Sequence, residues 1–204
     1  MADILIELEE AFSSDPSIDE IGTVVQEKSS SEDPAVIVVE HKLGILHWAL
    51  KPLYLYCIQE FFRLQKDIKT GNTNLISSAS SMKALTRGVL VVKGDMPLAL
   101  AIRKELIITG LIDVTEEKKF TGLIFPRHPK AASLWQHRRW CLQTDSGTET
   151  ATLSEDDCVL QIELNLCSYL SDIYPKNYYA WTHRLWLLQF MDEEKVFSFV
   201  LLLM

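Results

Sequence analysis

The chain has 204 residues, 48 % of them hydrophobic and 24 % charged, which suits one folded domain with appendages and excludes a fully disordered chain. Eight glycines and seven prolines are too few for an all-β protein, which turns about every ten residues. Twenty basic against 28 acidic residues leave a net charge of −8, the reverse of what a phosphate-neutralising protein carries, so no nucleic acid is expected as a partner.

Residues 2–12 predict a short acidic helix. Asp3, Glu7, Glu9 and Glu10 stand where a secretory signal has a basic start and an unbroken apolar core, so the expected compartment is the cytoplasm. Ser13 to Pro34 carries two Ser/Asp/Pro clusters and predicts a loop or flexible arm, and Val36–Glu40, β-branched, a short extended piece. Residues 1–40 are therefore expected as an acidic helix with a flexible arm, ahead of one helical-repeat domain over 41–204. A helix is expected from about Lys42 to Lys69, bent or broken near Pro52, where a backbone donor is lost. The apolar run Leu43–Ile58 is interrupted by His47, Lys51 and Pro52, so no membrane span is expected. Thr70–Asn74 is a turn, and from there helix, short loop and helix alternate.

The last such pair is the clearest. Ser154-Glu155-Asp156-Asp157 places a capping residue and acids at a helix start. Val159, Ile162, Leu166 and Tyr169 follow on one helical face, Pro175 and Asn177 interrupt, and Tyr178, Trp181, Leu185 and Leu188 make a face on a second helix. Two amphipathic helices joined so closely pack as an antiparallel hairpin. Val196–Met204 reads as the start of a further helix, so the C-terminus looks truncated. Cys57, Cys141, Cys158 and Cys167 form no C-x-x-C and sit among apolar neighbours, as small buried hydrophobes do. The acidic stretches Glu7–Glu10, Glu116-Glu117 and Asp192–Glu194 read as solvated faces.

An internal repeat organises the second half. Residues 129–140 and 175–186 share P-K-x-x-x-x-W-x-H-R-x-W, 46 residues apart, and hold four of the five tryptophans. A weaker copy lies 35 residues before the first of these, with Leu100 in the Trp slot and Arg103 in the Arg slot. Pro ends one helix and starts the next. Trp135 and Arg138, like Trp181 and Arg184, share a face, so the guanidinium can stack on the indole or pair with a carboxylate next door. Trp140 and Trp186 lie about 140° further round and can reach a neighbouring hairpin. These tryptophans read as packing residues, and His137 and His183 as repeat positions, not metal ligands; no metal site is expected in this chain. P-loop, G-x-G-x-x-G, H-E-x-x-H and G-x-S-x-G motifs are all absent.

The pattern, with Asn177 and Tyr178 completing P-K-N-Y in the last copy, resembles the protein prenyltransferase α-subunit repeat over roughly residues 75–190. The resemblance implies an all-α fold, a right-handed superhelix (α-solenoid) of antiparallel helical hairpins. It implies an α-type subunit, without activity alone, of a heterodimeric protein prenyltransferase. The partner β subunit holds zinc and the isoprenoid diphosphate and transfers a geranylgeranyl or farnesyl group to a protein with a C-terminal cysteine; this chain itself binds no cofactor. Counting copies, the resemblance puts Lys130 at the diphosphate, with Lys176 the same slot one hairpin on. The chain departs from the family at Ala132, where a tyrosine follows that lysine, and at Tyr179, where farnesyltransferase places a histidine. The alternative is a non-catalytic helical-repeat scaffold for protein–protein interaction.

Overall fold

The computed structural model describes residues 2–30, 33–145 and 157–190. The chain divides into two compact units, 1–113 and 114–204. The boundary expected at residue 40 is not where it divides, because the N-terminal segments are built into the first unit.

Helix α1 (Ala2–Ser14) buries Ile4, Leu5, Leu8 and Ala11, one helical face. Its acids are structural as well as polar. Glu7 Oε2 accepts from the backbone N–H of Ala35 at 2.7 Å and of Val36 at 3.2 Å. Glu9 pairs with Arg87 at 2.6 Å. The stretch read as a flexible arm holds strand β1 (Glu20–Val24). It runs parallel to β3 (Lys42–Leu46), Glu20 opposite Lys42. Strand β2 (Val36–Val39) runs antiparallel to β3, Val36 opposite Ile45, so β3 lies central in the order β1-β3-β2. A Cβ at Gly44 would lie 2.7 Å from Val24 Cγ2 and 3.1 Å from Ile37 Cγ1. Only glycine lets the flanking strands close over the middle of β3. Glu40 and His41, both at positive φ, make the tight turn that matches strand twist.

Helix α2 (His47–Lys69) starts five residues later than the sequence suggests, since Lys42–Leu46 is strand, and it runs on through Pro52. Ala49, Leu53, Cys57 and Phe61 are fully buried along one stripe. Helix α3 (Ala79–Val92) approaches it so closely that a Cβ at Gly88 would meet Cys57 Sγ at 2.5 Å. Helix α4 (Pro97–Ile108) follows, with Pro97 in its first turn.

The second unit contains α5 (Val114–Ile124), α6 (Ala132–Asp145), α7 (Asp157–Ile173) and α8 (Tyr178–Leu187), with a 3-10 turn at Leu188–Phe190. α5 packs on α6 and α7 on α8, as hairpins. The fold is largely all-α, and the small sheet is its one exception among the described residues. Ser154–Asp156 of the expected cap, Asp192–Glu194 and the run 196–204 lie outside the described residues.

The inward face of α7 differs from the expected one by one residue, about 100° of rotation, and that of α8 by two residues, about 200°. Leu160, Glu163, Cys167 and Leu170 are buried on α7, and Ala180, His183 and Leu187 on α8. Ile162, Tyr169, Tyr178, Trp181 and Leu185 are exposed. An apolar count overlooks a face that carries a glutamate and a histidine, because it cannot see that the two satisfy each other.

Candidate functional site

Each motif residue has a local task. The Trp135 indole N–H donates to the Pro129 carbonyl at 3.0 Å, and the Trp181 indole N–H to the Pro175 carbonyl at 3.5 Å. Both bonds tie a helix back onto the Pro-Lys loop that precedes it. Asn177 is fully buried and caps α8, its Oδ1 accepting from the Ala180 N–H at 3.3 Å. Tyr178 points to solvent. Lys130 and Lys176 sit at the equivalent hairpin tips and are exposed. The Tyr174 hydroxyl at the end of α7 donates to the Pro126 carbonyl at 3.3 Å, so the two tips are neighbours.

Below the tips runs a ladder of buried polar contacts. His137 Nε2 meets Glu117 Oε1 at 2.7 Å, and His183 Nε2 meets Glu163 Oε2 at 3.2 Å. In both hairpins the first helix supplies the carboxylate and the second the imidazole, 20 residues on. Arg138 joins the hairpins. Its Nη2 and Nε donate to Glu163 Oε1 and Oε2 at 2.5 and 3.1 Å, a two-pronged pair. Its Nη1 donates to Thr121 Oγ1 at 2.8 Å and to the Lys118 carbonyl on its own hairpin.

The same fork recurs in the first unit. Arg103, fully buried, donates to Thr86 Oγ1 at 3.0 Å and to the Lys83 carbonyl at 3.3 Å. Thr86, Lys83 and Arg103 each lie 35 residues before Thr121, Lys118 and Arg138, the offset read from the sequence. The weak third copy therefore repeats this fork, with Arg103 at the position that Arg138 holds one hairpin on.

Electrostatics follows from burial. Desolvation pushes the Glu163 carboxyl up, but the Arg138 charge and the hydrogen bonds from His183 and Arg138 outweigh it and hold the group at about 2. Burial lowers the His183 imidazole, against the pull of Glu163. Arg139 Nε can only donate, and it points at His183 Nδ1 from 3.3 Å. Nδ1 is thus an acceptor, and His183 is the neutral form with its proton on Nε2. Cys167, in the slot that Thr121 fills one hairpin earlier, has its thiol pushed up by burial to about 12.

The motif arginines differ in their contacts. Arg138 takes the carboxylate, Arg184 lies 5.6 Å from the Trp181 ring centroid, and Arg139 lies 5.4 Å from that of Trp186. Trp135 is 2 % exposed, its ring 5.1 Å from His183, whereas Trp181 is 39 % exposed and does not fit the packing role expected of it. Trp140 and Trp186 are half-buried, each stacked on the histidine three residues before it. Cys57, Cys141 and Cys167 are buried thiols and Cys158 is exposed. Sequence reasoning does not find Glu117 and Glu163, and the solvated face expected at Glu117 is in fact buried. Their signal was present as the repeated spacing of 20 residues to a histidine. Among the described residues no group of three or more His, Cys, Asp or Glu is placed to hold a metal, and no helix is long and apolar enough to cross a membrane.

A model of the protein prenyltransferase alpha subunit repeat matches residues 114–145 and 160–191, the two hairpins of the second unit. The chain is similar to Protein prenyltransferase alpha subunit repeat-containing protein 1 of Danio rerio, 30 % identical over 205 residues, 93 % of this chain and 46 % of that protein. It is similar to the protein of the same name in Homo sapiens, 27 % identical over 202 residues, 93 % of this chain and 49 % of that protein. Protein prenyltransferase alpha subunit repeat-containing protein 1-B of Xenopus laevis is 28 % identical over 199 residues, 91 % of this chain and 44 % of that protein. The chain spans about half the length of the curated relatives it matches.

Proposed function

The chain carries two protein prenyltransferase alpha subunit repeats, and on that premise we propose that it serves as an α-type subunit of a heterodimeric protein prenyltransferase in the cytoplasm. Its hairpins seat a β subunit, which brings the zinc and the isoprenoid diphosphate and carries the prenyl group to a protein cysteine. The geranylgeranyl branch is the preferred one. The observation that supports this reading is the pair of Pro-Lys tips. Each is braced by an indole N–H on a proline carbonyl, and each leaves its lysine exposed rather than spent on the ladder. A cation fixed there would face the diphosphate as it departs, where charge grows in the transition state.

Co-expression with each candidate β subunit, followed by size-exclusion chromatography, tests the assembly. A 1:1 complex with one of them is the expected result. In that complex Lys130→Ala is expected to lower kcat/KM roughly tenfold or more, by loss of transition-state charge stabilisation. A parent-like rate removes Lys130 from the diphosphate site.

A second reading is a scaffold that binds proteins without catalysis. Ala132, in place of the family's tyrosine at the start of α6, favours it, because one diphosphate contact is then absent. A folded chain that joins no β subunit but captures another protein would decide for the scaffold.

A further inference from the structure

The connection between β1 and β2 carries the run Lys28-Ser29-Ser30-Ser31-Glu32-Asp33-Pro34, which the hairpin repeats do not explain. Its three serines are not equivalent. Ser30 is followed by acids at its second and third positions, Glu32 and Asp33. Ser29 has its nearest acid at the third position, and Ser31 has a proline there. Lys28 is the one base in the run, and its ammonium lies 4.4 Å from the centre of the Trp48 ring on α2. Ser29 and Ser30 are exposed and belong to neither helix nor strand.

The fold shows where the hydroxyls point. Asp33 Oδ1 accepts from Ser30 Oγ at 2.8 Å, and Oδ2 accepts from Ser29 Oγ at 2.9 Å. Oδ2 also accepts from the backbone N–H groups of Ser29 and Ser30, at 2.5 and 2.9 Å. One carboxylate thus closes a turn, and its four donors hold the carboxyl well below the usual range. These bonds are local to the loop. The sheet ladders end at Val24 on one side and begin at Val36 on the other. Glu7 holds the Ala35 and Val36 N–H groups just beyond the turn. The turn can therefore open into the extended form that a peptide groove takes, with no strand pair unzipped.

We propose that Ser30 is a phosphorylation site for an acid-directed protein kinase, and that its phosphate undoes the turn made by Asp33. A kinase of this class lines its substrate groove with basic side chains, which select a serine by the acids that follow it. Ser30 Oγ attacks the γ-phosphorus of ATP, the bond from that phosphorus to the β–γ bridging oxygen breaks, and ADP leaves. The hydroxyl proton passes to the kinase's base. The product carries a charge of about −1.5 to −2 where a hydroxyl had donated to Asp33. It has lost that donor and repels the carboxylate beside it, so Asp33 releases the Ser29 and Ser30 N–H groups.

The test incubates the full chain with magnesium ATP and casein kinase 2, an acid-directed enzyme, and in parallel with cyclic-AMP-dependent protein kinase, which is directed by bases. Peptide mapping by mass spectrometry locates the phosphate, and circular dichroism reports that each variant is folded. Casein kinase 2 is expected to phosphorylate Ser30, at least tenfold faster than the base-directed enzyme does. Asp33→Asn is expected to slow the reaction at Ser30 at least tenfold, and Asp33→Glu, which keeps the charge, to restore most of the rate. In the phosphorylated chain, amide hydrogen exchange at Ser29 and Ser30 should quicken at least tenfold. Phosphate found on Ser29, or on Ser154 with its own following acids, but not on Ser30 overturns the site. So does an equal rate in Asp33→Asn or with the base-directed enzyme. Amide exchange unchanged by phosphorylation overturns the release of the turn.

Discussion

The hairpins α5–α6 and α7–α8 share proline, lysine, tryptophan, histidine and arginine at the same spacing, and their contacts diverge with neighbours, not with sequence. Trp135 and Trp181 make the same bond to a proline carbonyl, so that bond belongs to the motif itself. Their burial differs because only Trp135 has another hairpin's ring on it. Two kinds of contact are visible on the arginines: Arg138 pairs with a carboxylate across the hairpin interface, and Arg184 lies over the indole of its own helix. A repeat motif thus encodes two kinds of contact, one complete within a hairpin and one completed by the next.

The largest expected effect falls on the contact that spans hairpins. Glu163 is buried between Arg138 and His183, so Glu163→Gln leaves a buried guanidinium without its counter-charge. The expected loss is about 4–5 kcal/mol in urea unfolding. Replacing both Glu163 by Leu and Arg138 by Met should recover most of it, since removing the whole pair removes the desolvation penalty too. A double variant as unstable as the single would mean that the fork contributes more than charge balance.

Next comes the tryptophan comparison. Trp135→Ala empties a fully packed site beside Phe125, whose ring lies 4.0 Å away, and is expected to cost about 3–4 kcal/mol. Trp181→Ala removes a partly solvated ring and should cost about 1 kcal/mol. Equal costs would place a cover on Trp181 in solution and break the comparison.

How much of this the sequence discloses depends on whether a contact is local. The Pro-Lys loop, the Trp and Arg slots and even the weak copy at Arg103 follow from spacing, since each is set within one hairpin. The inward faces of α7 and α8 do not, because polarity alone assigns Glu163 and His183 to solvent until the pairing partner 20 residues away is known. β1 looks like loop in the sequence for a related reason. Glu20–Val24 is short, and its ladder partner β3 lies about twenty residues downstream in a segment that reads equally well as helix. Lys130 and Lys176 are legible as residues at hairpin tips, but their chemistry rests on a partner.

A pH dependence with two stages separates the buried histidine from the buried glutamate, and its first stage is the smallest effect. His183 titrates below its ordinary 6.5 because burial disfavours its charged form. The folded chain therefore binds fewer protons there than the unfolded chain once the pH drops under about 6.5, and stability declines from that point. Glu163, held at about 2 against an ordinary 4.5, adds its stabilisation above pH 4.5 and loses it as the pH falls towards 2. Urea midpoints between pH 7.5 and 5 should thus fall for the parent chain and fall less for His183→Gln, which keeps a donor for Glu163 but cannot gain a charge. Between pH 4.5 and 2 the parent and His183→Gln should decline alike. A parent chain flat down to pH 5 would mean that His183 takes up its proton as readily when folded as when unfolded, against the donor that Arg139 aims at its Nδ1.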